Sequence, residues 1–129
     1  MSWLRLLGAA VLAEAIPIVL LVAVVAVFGP STADAAAAFA TRVGAVLGPI
    51  AGMVCTFVAA IWLSRSIAVS PLRRGALFGV LVARIDIALL LASEATFAWV
   101  FVASNVGRVL AGSAGGWVVA RQRRRQPAT

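Results

Sequence analysis

Residues 3–28 read WLRLLGAAVLAEAIPIVLLVAVVAVF: twenty-six positions in which Arg5, Glu14 and Pro17 are the only departures from apolar or small side chains. A helix of that length is about 39 Å long at about 1.5 Å per residue. The hydrocarbon core of a bilayer is about 30 Å thick, so the segment is long enough to cross it with some tilt. Gly29-Pro30-Ser31 then punctuates its end. The stretch is long for a signal-peptide core and Glu14 interrupts it, so an uncleaved anchor is expected despite the small residues around Ala33-Asp34-Ala35.

The rest of the chain repeats the pattern. Hydrophobic residues make up 64% of 129, and the mean hydropathy is +1.10. Soluble domains are about half apolar, and a chain this short has too much surface for its volume to hide such an excess from water. Further apolar segments run over about 43–63, 75–92 and 97–120. The expected fold is an all-α membrane protein with four transmembrane helices, over about 3–28, 43–63, 75–92 and 97–120, and with helix three packed between helices one and four. Asp34 and the alanine run after it read as a surface segment, Ser70-Pro71 closes a basic loop, and Glu94 to Thr96 read as a tight turn. Residues 1–120 form one membrane domain, and 121–129 a basic, disordered tail.

The formal net charge of +7 comes from arginine alone, because there is no lysine or histidine. Arg65, Arg73 and Arg74 flank one short loop, and Arg121, Arg123, Arg124 and Arg125 follow the last apolar segment. Positive charge gathered in this way marks cytoplasmic loops, so both termini are expected in the cytoplasm, with the chain in the plasma (inner) membrane. Trp62 and Trp117 near the basic side, and Trp99 near the other, suit interfacial anchors. No aromatic residues interleave with the tail arginines for base stacking, so no nucleic-acid partner is expected. Anionic lipid headgroups are the expected partners of the tail. Cys55 is the only cysteine, which rules out an internal disulfide; with no histidine, neither a metal nor another cofactor is expected. No acid, base and nucleophile can be gathered on one exposed surface, so the chain does not read as an enzyme.

Small residues mark the contact faces. Gly44, Gly48, Gly52, Thr56 and Ala60 recur every four residues, and Ala103, Gly107, Ala111 and Gly115 do the same with Gly112 and Gly116 beside them. Helix three opens with Gly75, Gly79 and Ala83. Between lipid-embedded helices the hydrophobic drive is small, and close backbone approach supplies the packing. Bundle packing accounts for such faces. A surplus face would join a second copy or another membrane protein.

Four ionisable residues fall inside the apolar segments: Glu14, Arg84, Asp86 and Arg108. A mid-helix charge costs about 2.5–3.5 kcal/mol on insertion scales, so such residues pair or face a cavity. Counted from the nearest cytoplasmic arginine, Glu14 and Arg84 lie about 14–15 Å deep, and Asp86 and Arg108 about 18–20 Å. Matched depth predicts two pairs, Glu14 with Arg84 and Asp86 with Arg108. Asn105, Ser104 and Ser113 could complete the hydrogen bonding. Pro17 frees the carbonyl of Ala13 beside Glu14 and Pro49 that of Ala45, which offers acceptors for a cation or proton.

The opening Ser2-Trp3-Leu4-Arg5-Leu6-Leu7-Gly8-Ala9-Ala10-Val11-Leu12-Ala13-Glu14 resembles the first helix of the small multidrug resistance transporters. The resemblance implies four helices, an antiparallel dimer, and Glu14 as a membrane glutamate exchanging protons for cationic drugs. It covers about a tenth of the chain; the family's aromatic and glycine signature in the third helix is missing, and there is no tyrosine. More broadly, the layout resembles small four-helix bacterial membrane proteins, which assigns no activity. The function expected from the residues is a structural or partner-binding membrane subunit; the alternative is a small proton- or ion-coupled transporter using Glu14 or Asp86.

Overall fold

The computed structural model describes residues 3–66, 70–93 and 98–125. It is all-helical, with α1 at Trp3–Phe28, α2 at Ala33–Arg65, α3 at Pro71–Ala92 and α4 at Trp99–Arg125. Gly29 ends α1 by donating its backbone N–H to Val25 O at 2.8 Å. Pro71 opens α3, and Ser70 before it takes a left-handed backbone, φ 46°; the proline that follows disfavours a right-handed helical Ser70. Pro17 and Pro49 lie inside α1 and α2, which continue through them.

Three helices outrun their expected bounds, α3 by beginning at Pro71 rather than near Gly75. α2 begins at Ala33 rather than near Val43. Alanine has the strongest helix propensity, Asp34 in the first turn suits the positive helix end, and no breaker falls between Thr32 and Pro49 except the tolerated Gly44 and Gly48. The alanine run is therefore helix, not a separate surface segment. α4 continues through Arg121–Arg125, so half of the expected disordered tail is helical. Arg123 donates from one Nη to the carbonyls of Ser64 (3.2 Å) and Arg65 (3.1 Å), capping the last turn of α2 while it orders the last turn of α4. The expected turn at Glu94–Thr96 lies outside the described residues.

α4 packs on α2 and α3, α1 packs on α2 and α3, and α2 and α3 touch each other. Among the described residues, α1 and α4 make no close backbone approach. α2 and α3 each touch both of them. Arg5 and Trp62 line one groove, Arg123 reaches the end of α2, and Arg73 shares a groove with Arg121. The start of α1, end of α2, start of α3 and end of α4 therefore share one basic end. The core nearest that end is Ala9, Ala10, Ala13, Ala60, Leu63, Phe78 and Val82, small side chains around one buried ring.

α1, α2 and α3 are each long and apolar enough to cross a membrane, which makes this a multi-pass helical membrane protein. α4, expected to be a fourth such span, falls short of the other three in apolarity among the described residues. Ser104, Asn105, Arg108, Ser113 and four glycines dilute its aliphatic residues. The polar helix is thus the one at which the buried polar contacts converge.

Candidate functional site: a buried arginine held by two carboxylates

Small residues decide how closely the helices meet. A Cβ at Gly79 would fall 2.7 Å from Arg108 O and 2.9 Å from Val109 Cα, and one at Gly112 would fall 2.9 Å from Gly79 Cα. α3 and α4 therefore touch backbone to backbone along Gly75, Gly79, Gly112 and Gly116. Gly107 and Gly115 face the other way, onto Met53 and onto Phe57 O and Ala60 of α2. Both glycine faces of α4 are filled within the chain. Gly44 packs on Leu21 of α1, whereas Gly48 has open space where a Cβ would stand.

That close packing buries Arg108, whose side chain is 4% exposed. Its Nε lies 2.9 Å from Glu14 Oε1, and its Nη2 donates to Glu14 Oε2 at 3.1 Å. The first contact is an ion pair without hydrogen-bond alignment; the second is aligned. Nη1 donates to Ser104 Oγ at 2.6 Å and lies 3.1 Å from Asp86 Oδ2. Asn105 Nδ2 donates to the same Asp86 oxygen at 2.8 Å and to Phe101 O at 2.9 Å. A flipped Asn105 would set its own oxygen against an ionised carboxylate, so Asp86 fixes the amide's orientation.

α2 contributes room rather than charge. A Cβ at Gly52 would stand 2.7 Å from Arg108 Nη2 and 3.0 Å from Cζ, so the guanidinium lies against bare backbone. Thr56, fully buried one turn on, donates to Gly52 O at 2.7 Å. All four helices meet at this guanidinium: Glu14 from α1, Gly52 from α2, Asp86 from α3, and Ser104 and Asn105 with Arg108 from α4. The Glu14–Arg108 link also ties α1 to α4, which have no backbone contact of their own.

The expected pairing is corrected in one half. Arg108 and Asp86 do meet, but Glu14 pairs with Arg108 and not with Arg84. Arg84 is exposed on the outer face of α3, two residues and about 200° away from inward-facing Asp86. Depth counting put Glu14 and Arg108 about 5 Å apart in level, roughly one helical turn, and a long arginine side chain spans that difference. Ser113, expected among the supporting groups, donates to Val109 O of its own helix at 2.8 Å instead. Gly52 was legible as one of a glycine stripe; its place under the guanidinium carried no separate sequence signal.

A second feature sits at the basic end. Trp117, Arg121 and Arg124 share one face of α4 and line a cavity of about 540 Å³ with Ser70 and the first residues of α3, Pro71, Leu72 and Arg73. The Arg121 guanidinium lies 5.2 Å above the Trp117 ring, a cation–π contact that holds it at the cavity edge.

Comparison of the chain with known protein families, with curated proteins and with solved structures returns no match.

Proposed function

We propose that the chain is a four-crossing inner-membrane protein with both termini in the cytoplasm, α3 set between α1 and α4, and that it works as a structural or partner-binding membrane subunit. The observation that carries this reading is the burial of the polar cluster between the helices, with Glu14 Oε1, Asn105 Oδ1 and Arg108 Nε left without an aligned hydrogen bond. Arg108 and Glu14 are buried, every guanidinium nitrogen contacts a protein oxygen, and the groove bordering α1 and α2 is lined by apolar residues apart from Arg5 and Cys55. Such a cluster fixes helix register and rotation, the use of buried ionic groups that is best attested. The outer faces, by contrast, are left uncovered: Leu12, Val19 and Val22 of α1, Ile50 and Val54 of α2, and Leu110 of α4 are all exposed. A membrane subunit presents such faces to lipid or to neighbours. The arginine-rich cavity beside Trp117 suits phosphate headgroups of anionic lipids.

In-cell photocrosslinking tests the reading, with a photoreactive residue placed in turn at Val19, Ile50, Ile87 and Leu110. A discrete protein adduct from at least one face is expected; lipid adducts alone from all four would sink it.

One observation favours a second reading, a small proton- or ion-coupled transporter. Two carboxylates share one guanidinium, so the fully ionised cluster carries one negative charge too many for a buried site. Charge balance is reached when it holds one proton or one monovalent cation. Vesicles containing the protein and a pH-sensitive dye would show a flux abolished by Glu14→Gln and by Asp86→Asn, and no flux above empty vesicles would dismiss this alternative.

A further inference from the structure

Arg84 is exposed on a helix that is long and apolar enough to cross a membrane. It lies ten residues beyond Arg74, about 15 Å along α3, which is near the middle of a hydrocarbon core of about 30 Å. A charge at that depth and on the outer surface is costly unless something neutralises it. The described residues of this chain offer nothing. Glu14 and Asp86 face inward and are held by Arg108, and Asp34 lies in the first turn of α2 at the end opposite Arg65. Glu94 lies outside the described residues.

The neighbours of Arg84 on that face form a pattern. Leu77, Val80, Arg84, Ile87 and Leu91 are spaced three, four, three and four residues apart, and all five are exposed. That is the spacing of a seam on which a second helix packs. The other face of α3, with Gly75, Phe78, Gly79, Val82 and Ala83, is buried in the bundle. Beside the seam, Ile87 and Leu91 border an apolar groove of about 410 Å³ between α3 and α4, with Phe101, Val102 and Asn105 on its other wall.

We propose that this α3 face docks a transmembrane helix of a different protein, one that carries an aspartate or glutamate at mid-membrane depth to pair with Arg84. The proposal rests on the partner-binding reading above and names the partner's chemistry. A second copy of this chain is disfavoured because it has no outward-facing carboxylate at that level among its described residues. The seam supplies apolar knobs on both sides of the charge, and the groove accepts side chains of the incoming helix. An arginine–carboxylate pair in hydrocarbon sets both depth and choice of partner, since any neutral helix would leave the guanidinium unpaired.

The test uses the whole protein in phosphatidylcholine vesicles and three synthetic leucine-rich transmembrane peptides, identical except for a central Glu, Gln or Lys. Association is followed by energy transfer from a donor on the C-terminal tail to an acceptor on the peptide. The Glu peptide is expected to bind at least tenfold more tightly than the Gln peptide, and the Lys peptide least. Arg84→Gln should remove the difference, and Arg84→Glu should reverse the order in favour of the Lys peptide. Equal binding of the three peptides, or an order unchanged by Arg84→Glu, overturns the proposal. Helical content of each variant, measured by circular dichroism, separates loss of docking from loss of fold. In cells, a photoreactive residue at Ile87 should yield an adduct with another membrane protein that Arg84→Gln abolishes. An adduct with this chain itself, or adducts confined to α1, α2 or α4, would overturn the acidic-partner proposal while leaving the subunit reading intact.

Discussion

Replacing Arg108 by methionine removes the hub on which both carboxylates depend. The substitution deletes contacts of 2.9 and 3.1 Å to Glu14, 3.1 Å to Asp86 and 2.6 Å to Ser104, and leaves two carboxylates facing the vacated space. Breaking a buried ion pair by removing one partner costs about 3–5 kcal/mol, a loss of roughly a hundred- to several-thousand-fold in the folded-to-unfolded ratio. Glu14→Gln alone leaves Arg108 with Asp86 and should cost less, about 1–3 kcal/mol. The combined change Glu14→Gln, Asp86→Asn, Arg108→Met removes every charge while keeping similar volumes, and should recover most of the loss, because neutral replacements of buried ionic clusters are commonly tolerated. Arg84→Gln, on the outer face, should stay within about 0.5 kcal/mol of the parent. Stability is read as reversible unfolding in mixed micelles with increasing sodium dodecyl sulfate, followed by tryptophan fluorescence and helical ellipticity. The reasoning is refuted if Arg108→Met unfolds with the parent, or if the neutral triple variant is no more stable than Arg108→Met alone.

Gly79→Val drives a side chain into the backbone of α4 at Arg108 and Val109 and should cost at least about 1–3 kcal/mol; Gly48→Ala meets no atom within 4 Å and should be neutral or stabilising by up to about 1 kcal/mol, both in the same unfolding assay. Arg123→Ala removes two hydrogen bonds to the end of α2, so amide hydrogen exchange after Leu63 should quicken while exchange around Arg108 stays unchanged. Cys55, the lone thiol, lies ten residues before Arg65 and borders the apolar groove between α1 and α2. It should resist a membrane-impermeant maleimide in sealed vesicles and react only after detergent or denaturation; ready labelling in sealed vesicles would contradict its depth.

Much of the architecture was legible because lipid imposes simple rules. Residues 3–28 announced α1 to the residue and Gly29-Pro30 marked its end, whereas Ser70-Pro71, read as the close of a loop, in fact opens α3 four residues before its expected start at Gly75. The inward polar set of Glu14, Asp86, Arg108, Asn105 and Ser104 stood out against an apolar background. What the residues could not reveal was rotation. Depth along each helix can be counted from the arginines at its end, but which faces turn toward each other depends on helix order and crossing, which no single segment encodes. Arg84 and Arg108 were therefore interchangeable as partners for Glu14 until the bundle was closed. The long α2 was missed for a different reason: Ala35–Ala38 is only mildly apolar, so hydropathy passed over a stretch whose backbone propensity is strongly helical.

The link between Glu14 and Arg108 spans 94 positions of sequence, and this separation has a meaning in time. At about 5–20 residues per second, a ribosome needs about 5–20 s to travel from one to the other. Glu14 thus enters the bilayer long before its partner exists, carried by one of the most apolar segments of the chain, which can tolerate a lone acid. Arg108 arrives in the opposite circumstance, on a helix that falls short of the other three in apolarity. In the four-crossing reading proposed above, its entry would be favoured by what already waits there: a carboxylate on α1, another on α3, and a bare patch of backbone at Gly52. The first three helices are in this sense the solvent of the fourth, and the order of synthesis is part of how the chain admits an arginine to its centre.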